Sequence, residues 1–182
     1  MVKPADKSLA LAGGAVLILG LAALTAVAAS IKVPLWPVPV TLQTVAVLLP
    51  AVILGRRRAV LGQLTYLAAG LAGIPWFAAG GGLAYLLSPT FGYIVGFVAA
   101  AYIAGSLAKR YPATSFLAVA GMMAAGNLVI HTFGFLWLLR YLPLDMALAA
   151  GVYPFIVGDA LKIGAAASIF ALARNFLRQD RI

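Results

Sequence analysis

Six long apolar runs, separated only by short clusters of charge or of proline and glycine, leave this chain few ways to fold. Hydrophobic residues fill 64% of its 182 positions and charged residues 9%, against about 25% charged in a soluble domain. So few charges cannot clothe a water-exposed surface, and the solvent for most of the chain is lipid. A backbone in hydrocarbon must satisfy its own hydrogen bonds. The length of these runs and their lack of strict alternation select helices over a barrel. The expected fold class is an all-α integral membrane protein with six transmembrane helices, forming a single transmembrane domain over residues 1–182.

The runs place the helices at 9–29, 40–54, 59–73, 91–108, 116–139 and 152–176. The second and third fall short of the roughly 20 residues that cross a hydrocarbon core of about 30 Å. Lys3 and Lys7 before an apolar run resemble a secretory signal, but the run outlasts a signal's hydrophobic region, so a retained first helix is expected. Basic residues then orient the bundle. Lys3, Lys7, Arg56, Arg57, Arg58, Lys109, Arg110, Arg174, Arg178 and Arg181 fall on one side, and Lys32 and Arg140 on the other. The positive-inside rule puts both termini in the cytoplasm.

The net charge of +9 is therefore a topology signal. It lacks the surface stripe and interleaved aromatics of a nucleic-acid binder, and no nucleic-acid partner is expected. The absence of cysteine removes disulfides, thiol nucleophiles and thiolate metal sites. The sequence contains no G-x-S-x-G, H-E-x-x-H or G-x-x-x-x-G-K-[ST], so neither an enzyme nor a self-sufficient ATPase is indicated.

Two connections stand out. Pro34, Pro37 and Pro39 around Trp36 force an extended segment. The stretch 75–89 carries Gly80-Gly81-Gly82 and no charge. It is either re-entrant or packed over the bundle as a lid, or else an interfacial loop anchored by Trp76 and Tyr85.

Ionisable residues inside a membrane helix mark sites or neutralise one another. Asp159 and Lys162, three apart in the sixth run, share a helix face. They form either a structural pair or a site offering one anionic acceptor and one cationic donor. Thr41, Gln43 and Thr44 open the second run at the same outer level, so a shared pocket is expected. Asn127 and His131, four apart in the fifth, suit an interhelical hydrogen bond better than metal ligation, and no metal site is expected. Small residues at Ala10, Gly14, Ala22, Ala26 and Ser30 form one row on the first helix, fit for internal packing or for docking a partner.

Three segments together resemble the BioY-type biotin-binding subunits of energy-coupling-factor transporters. They are Val38-Pro39-Val40-Thr41-Leu42-Gln43-Thr44, then Gly73-Ile74-Pro75 with Gly80-Gly81-Gly82, Pro89-Thr90 and Gly92-Tyr93, then Pro154 with Gly158-Asp159-Ala160-Leu161-Lys162. The sequence departs from that pattern at Ser88 and Phe91, where glycine is common. Residues 80–82 offer only backbone, where some members carry asparagine. The resemblance implies a membrane subunit that captures biotin from outside, with biotin a transported ligand rather than a cofactor. Its implied partners are a transmembrane coupling protein, docked on Ala22, Ala26 and Ser30, and two cytoplasmic ATPases. The implied substrate-binding residues are Asp159, Lys162, Gln43, Thr41, Tyr93, Gly80 and Gly81. Asp159 would accept from the ureido N–H groups, Lys162 would face the valerate carboxylate, and Tyr93, Trp76 or Phe77 would cover the bicycle. A subunit for another small vitamin, a small membrane enzyme and a stand-alone channel are the alternatives.

Overall fold

The computed structural model describes residues 4–179. Lys3, Asp180 and Arg181 lie outside the described residues, as do the side chains of Asp6, Lys7 and Arg178. Among the described residues there are seven α-helices: α1 (Pro4–Ser30), α2 (Gln43–Leu54), α3 (Arg56–Leu71), α4 (Phe91–Arg110), α5 (Phe116–Leu138), α6 (Leu144–Gly151) and α7 (Tyr153–Gln179). Four stretches, Leu11–Ser30, Phe91–Arg110, Phe116–Leu138 and Leu144–Arg174, are long and apolar enough to cross a membrane.

Three boundaries differ from the sequence reading. Val40 and Thr41, expected in the second helix, form strand β2 (Val40–Thr41), which pairs antiparallel with β1 (Lys32–Val33). The prolines of the intervening segment hold the chain extended there, and the helix starts only at Gln43. Arg56, Arg57 and Arg58, expected in a loop, are the first turn of α3. Gly55 alone joins α2 to α3, at φ 80° and ψ 165°, a backbone region open essentially to glycine. Finally, α6 was not expected. Pro143 precedes its first turn and Val152 ends it, one residue ahead of α7.

Without water to drive apolar surfaces together, helices in lipid associate through close contact at small residues. The α4–α5 pair is built this way. Gly92 lies against Trp137, Gly96 against Ile130 and Phe133, and Gly134 against the Tyr93 ring. Gly105 brings α4 onto the start of α3, where a Cβ would stand 2.5 Å from both Cα and N of Arg56. A buried polar bond also joins α1 to α3, with Gln63 Nε2 donating to Thr25 Oγ1 at 3.0 Å. The small-residue row of α1 splits along its length: Ala22 is fully buried and Ala26 half-buried within the bundle, while Ser30 is exposed. Ala22 therefore packs inside the bundle of this chain.

Gly105→Ala has no flexible side-chain end to push aside, only the backbone and Cβ of Arg56. It should lower stability by about 1–3 kcal/mol. Gly121→Ala, with nothing within 4 Å of the added carbon, should be neutral or stabilising. Thermal melting of the two variants in detergent gives the comparison.

Candidate ligand cavity

The carboxylate of Asp159, 3% exposed, organises the polar side of an internal cavity. From α5, Asn127 Nδ2 donates to Asp159 Oδ2 at 2.9 Å, and His131 Nε2 lies 2.6 Å from the same oxygen. On α7 itself, Lys162 Nζ is 2.5 Å from Oδ1. Lys162 also donates to the backbone carbonyl of Thr41 at 3.0 Å, so it ties α7 to the β-hairpin. Asp159 and Lys162 fall one turn apart on a single face, and Asn127 and His131 present a matching i, i+4 pair across the interface. An isolated charge at membrane depth costs several kcal/mol, whereas this carboxylate has an ammonium and two further polar partners.

Cavity-lining residues come from every layer around this hub: Thr41, Gln43, Tyr93, His131, Phe155 and Lys162, with Ala78 and Tyr85 from the 75–89 connection. Its volume is about 40 Å³, room for no more than a few waters. On one wall the rings of Tyr93, His131 and Phe155 pack together, with Tyr93 and Phe155 stacked at 6.0 Å and His131 edge-on to Phe155 at 5.1 Å. Tyr93 is fixed by its hydroxyl, which donates to the Gly151 carbonyl at 2.8 Å.

Two connections roof the cavity. Residues 75–89 fold as a packed lid: Phe77 bridges to Gly80, a 3₁₀ turn covers Leu83–Leu87, and Gly82 N donates to Gly70 O at 2.7 Å. Phe77 wedges between Tyr66 and Tyr85, with centroids at 5.3 and 4.6 Å. The hairpin supplies Val38, Pro39 and Thr41, and Lys32 Nζ donates to the Ala78 carbonyl at 2.5 Å, pinning hairpin to lid.

The structure brings Thr41, Gln43, Tyr93 and Lys162 to the cavity and sets Asp159 behind its wall. Gln43 is held from both sides: Nε2 donates to Tyr66 Oη at 2.9 Å, and Oε1 accepts from Thr41 Oγ1 at 3.1 Å. Gly80 and Gly81 do not line the cavity. Gly80 takes φ +119° and Gly81 sits against the Ile74 carbonyl, so both shape the lid. Trp76 stacks on Tyr66 at 5.4 Å and donates to its carbonyl, away from the cavity, and Phe77 is likewise absent from the lining. Sequence reasoning left both His131 and Phe155 out of the pocket, though the spacing of His131 from Asn127 signalled an interhelical bond.

A model described as the BioY family matches residues 4–179. The "Probable biotin transporter BioY" of Pyrococcus horikoshii is 42% identical over 149 residues, 81% of this chain and 87% of that one. The "Biotin transporter BioY" of Thermotoga maritima is 36% identical over 161 residues, 87% of this chain and 94% of that one. Among solved structures, the S-component for biotin from an ECF-type ABC transporter superposes with a TM-score of 0.79. That match covers 96% of this chain and 95% of that chain at 23% identity, a likeness of fold.

Removing one member of a buried pair strands the other. Asp159→Leu and Lys162→Met should each cost about 3–5 kcal/mol. The double variant should lose much less than the sum, a coupling that a double-mutant cycle of melting temperatures reads directly.

Proposed function

The chain belongs to the BioY family, and from that premise we propose that its cavity captures biotin from outside the cell for ATP-driven import. It is a transport protein rather than an enzyme, and biotin is its cargo. A single transmembrane domain crosses the bacterial cytoplasmic (inner) membrane six times with both termini inside, α2 and α3 contributing the two short crossings. Energy comes from a transmembrane coupling protein and two cytoplasmic ATPases, since this sequence has no phosphate-binding loop of its own.

The observation that carries the reading is that Lys162 and His131 lean on the two oxygens of one carboxylate while both line the cavity. A carboxylate only accepts, so the hydrogen between them sits on His131 Nε2, and in a neutral imidazole the opposite nitrogen, Nδ1, is an acceptor. His131 Nδ1 is then a bare acceptor, and it is buried without a partner. Lys162 has a third N–H beyond those toward Asp159 and Thr41. Together they offer an acceptor and a donor side by side, the complement of the N–H and C=O on one edge of a ureido ring. A ligand carboxylate at this point would meet the His131 lone pair and the Asp159 charge. The ureido end therefore belongs here, and the acid chain runs toward the roof, where Lys32 stands on the Ala78 carbonyl. Tyr93 and Phe155 cover the apolar bicycle. The cavity is too small for that ligand, so hairpin and lid part on entry, breaking the Lys32 contact.

Titration of the purified protein should show biotin binding at micromolar ligand or tighter, and silence there would sink the reading. Two substitutions then separate the nitrogens of His131. Asparagine keeps an acceptor near the Nδ1 position, while glutamine keeps a donor near Nε2. His131→Gln should retain the Asp159 bond yet lose about tenfold in preference for biotin over its ring-N-methylated analogue, the size of one buried hydrogen bond. His131→Asn should retain the preference while melting earlier; the reverse pattern would remove His131 from ligand contact. Topology has its own test. Arg110→Cys and Arg140→Cys, in a chain without native cysteine, should label from opposite sides of the membrane.

A further inference from the structure

At the far end of α2 from the biotin cavity lies a groove of about 590 Å³. Its walls are apolar or small (Val52, Ile53, Leu54, Gly55, Gly105 and Ala108) and its polar members are all cations, Arg56, Arg57, Arg58 and Lys109. The two aspartates whose side chains are described, Asp145 and Asp159, are not among its lining residues.

The groove is also sunk below the end of the bundle. Gly105 packs on the Arg56 backbone, so the start of α3 is level with a point five residues before Arg110, the last residue of α4. At 1.5 Å per residue that is a recess of about 7.5 Å. Its cause is α2, whose 12 residues rise only about 18 Å. Cations are therefore held at two depths, Arg56 to Arg58 at the floor and Lys109 near the rim. Arg56 is partly engaged by Tyr102, whose ring lies 5.4 Å from its guanidinium. Arg57 and Arg58 are exposed and make no ion pair among the described residues. Ile53, 52% exposed, carries the apolar wall up toward hydrocarbon.

We propose that this recess is a binding site for an anionic phospholipid. Its phosphate is held by Arg57, Arg58 and Lys109, and one acyl chain lies along Val52, Ile53 and Leu54. A cationic floor alone would suit any phosphate; the apolar wall rising from it selects a phosphate that carries a chain. A short helix draws lipid inward to relieve mismatch, and basic pockets between membrane helices favour anionic headgroups. The leaflet is cytoplasmic, which rests on the topology proposed above; the site itself needs only membrane residence.

The test uses the full chain, purified and exposed separately to phosphatidylglycerol, phosphatidylcholine and soluble glycerol phosphate. Retained lipid is counted by native mass spectrometry and stabilisation by melting. Phosphatidylglycerol should be retained and should raise the melting temperature, as a ligand of the folded state does, while the other two should do neither. Each of Arg57→Gln, Arg58→Gln and Lys109→Gln should weaken retention about fivefold, and Arg140→Gln, at the other end of the bundle, should leave it unchanged. Equal retention of phosphatidylcholine, equal protection by glycerol phosphate, or indifference to the three substitutions would each overturn the proposal. Biotin titration of the same variants reports separately on the cavity, so a failure there is not mistaken for a failure here.

Discussion

The buried carboxylate of Asp159 is the constraint on which the cavity half of this molecule depends. A lone charge on α7 at membrane depth would be costly enough to displace the helix. Its partners come from α5 (Asn127 and His131) and from its own face (Lys162), and Lys162 reaches on to β2 through the Thr41 carbonyl. One anion therefore sets where α7 sits against α5 and where the hairpin closes over both. Because Oδ2 is held by Asn127 and His131 and Oδ1 is paired with the Lys162 ammonium, the remaining polar atoms of His131 and Lys162, two cavity-lining residues, are left for other partners. A pocket whose polar atoms are positioned before the ligand arrives loses little entropy on binding and penalises ligands that leave those atoms unpaired.

Close packing does for the aromatic wall what the carboxylate does for the polar one. Gly134 on α5 lets the Tyr93 ring lie flat against the helix, and the Tyr93 hydroxyl then reaches the Gly151 carbonyl at the end of α6. The same ring stacks on Phe155, at the start of α7. A single missing side chain thus fixes the cavity wall and the junction between α6 and α7 together. In lipid, shape decides where helices touch, and Gly92, Gly96 and Gly134 sit where a neighbour fills the space of a side chain.

Much of this was legible in the sequence because lipid makes hydrophobicity a direct readout of helix position. Every expected run has a helix, and the Asp159–Lys162 and Asn127–His131 spacings each announced a polar face. What the sequence could not convey is which faces meet. Asp159 lies 28 residues from His131 and 32 from Asn127, and periodicity within one helix says nothing about its partner. The Arg56–Arg58 turn was misplaced because a charge triplet reads as a loop, whereas Gly55 folds the chain back in one residue and hands the arginines to α3. Gly80 and Gly81 are similarly ambiguous: a glycine run signals a special backbone, here a positive φ at Gly80 and close approach of Gly81 to the Ile74 and Gly70 carbonyls, and not a contact with the cavity. The eight-residue α6 lies below any length that a hydropathy argument can resolve.

The shortness of α2 connects the two ends of the molecule. The twelve residues of α2 rise only about 18 Å against a core of about 30 Å, so the bundle is indented where α2 begins and again where it ends. At its start the indentation is roofed by the hairpin and the 75–89 lid, and Gln43 and Thr44 face the cavity. At its end nothing of the described chain roofs it, and Val52 to Leu54 run down to a floor of arginines. Pro50, inside the helix, leaves one backbone carbonyl of α2 without its helical donor, so lengthening α2 would not simply extend a regular rod. A helix long enough to span would fill both indentations. The cavity and the cationic recess are therefore consequences of one local fact, and a chain selected to keep the first inherits the second.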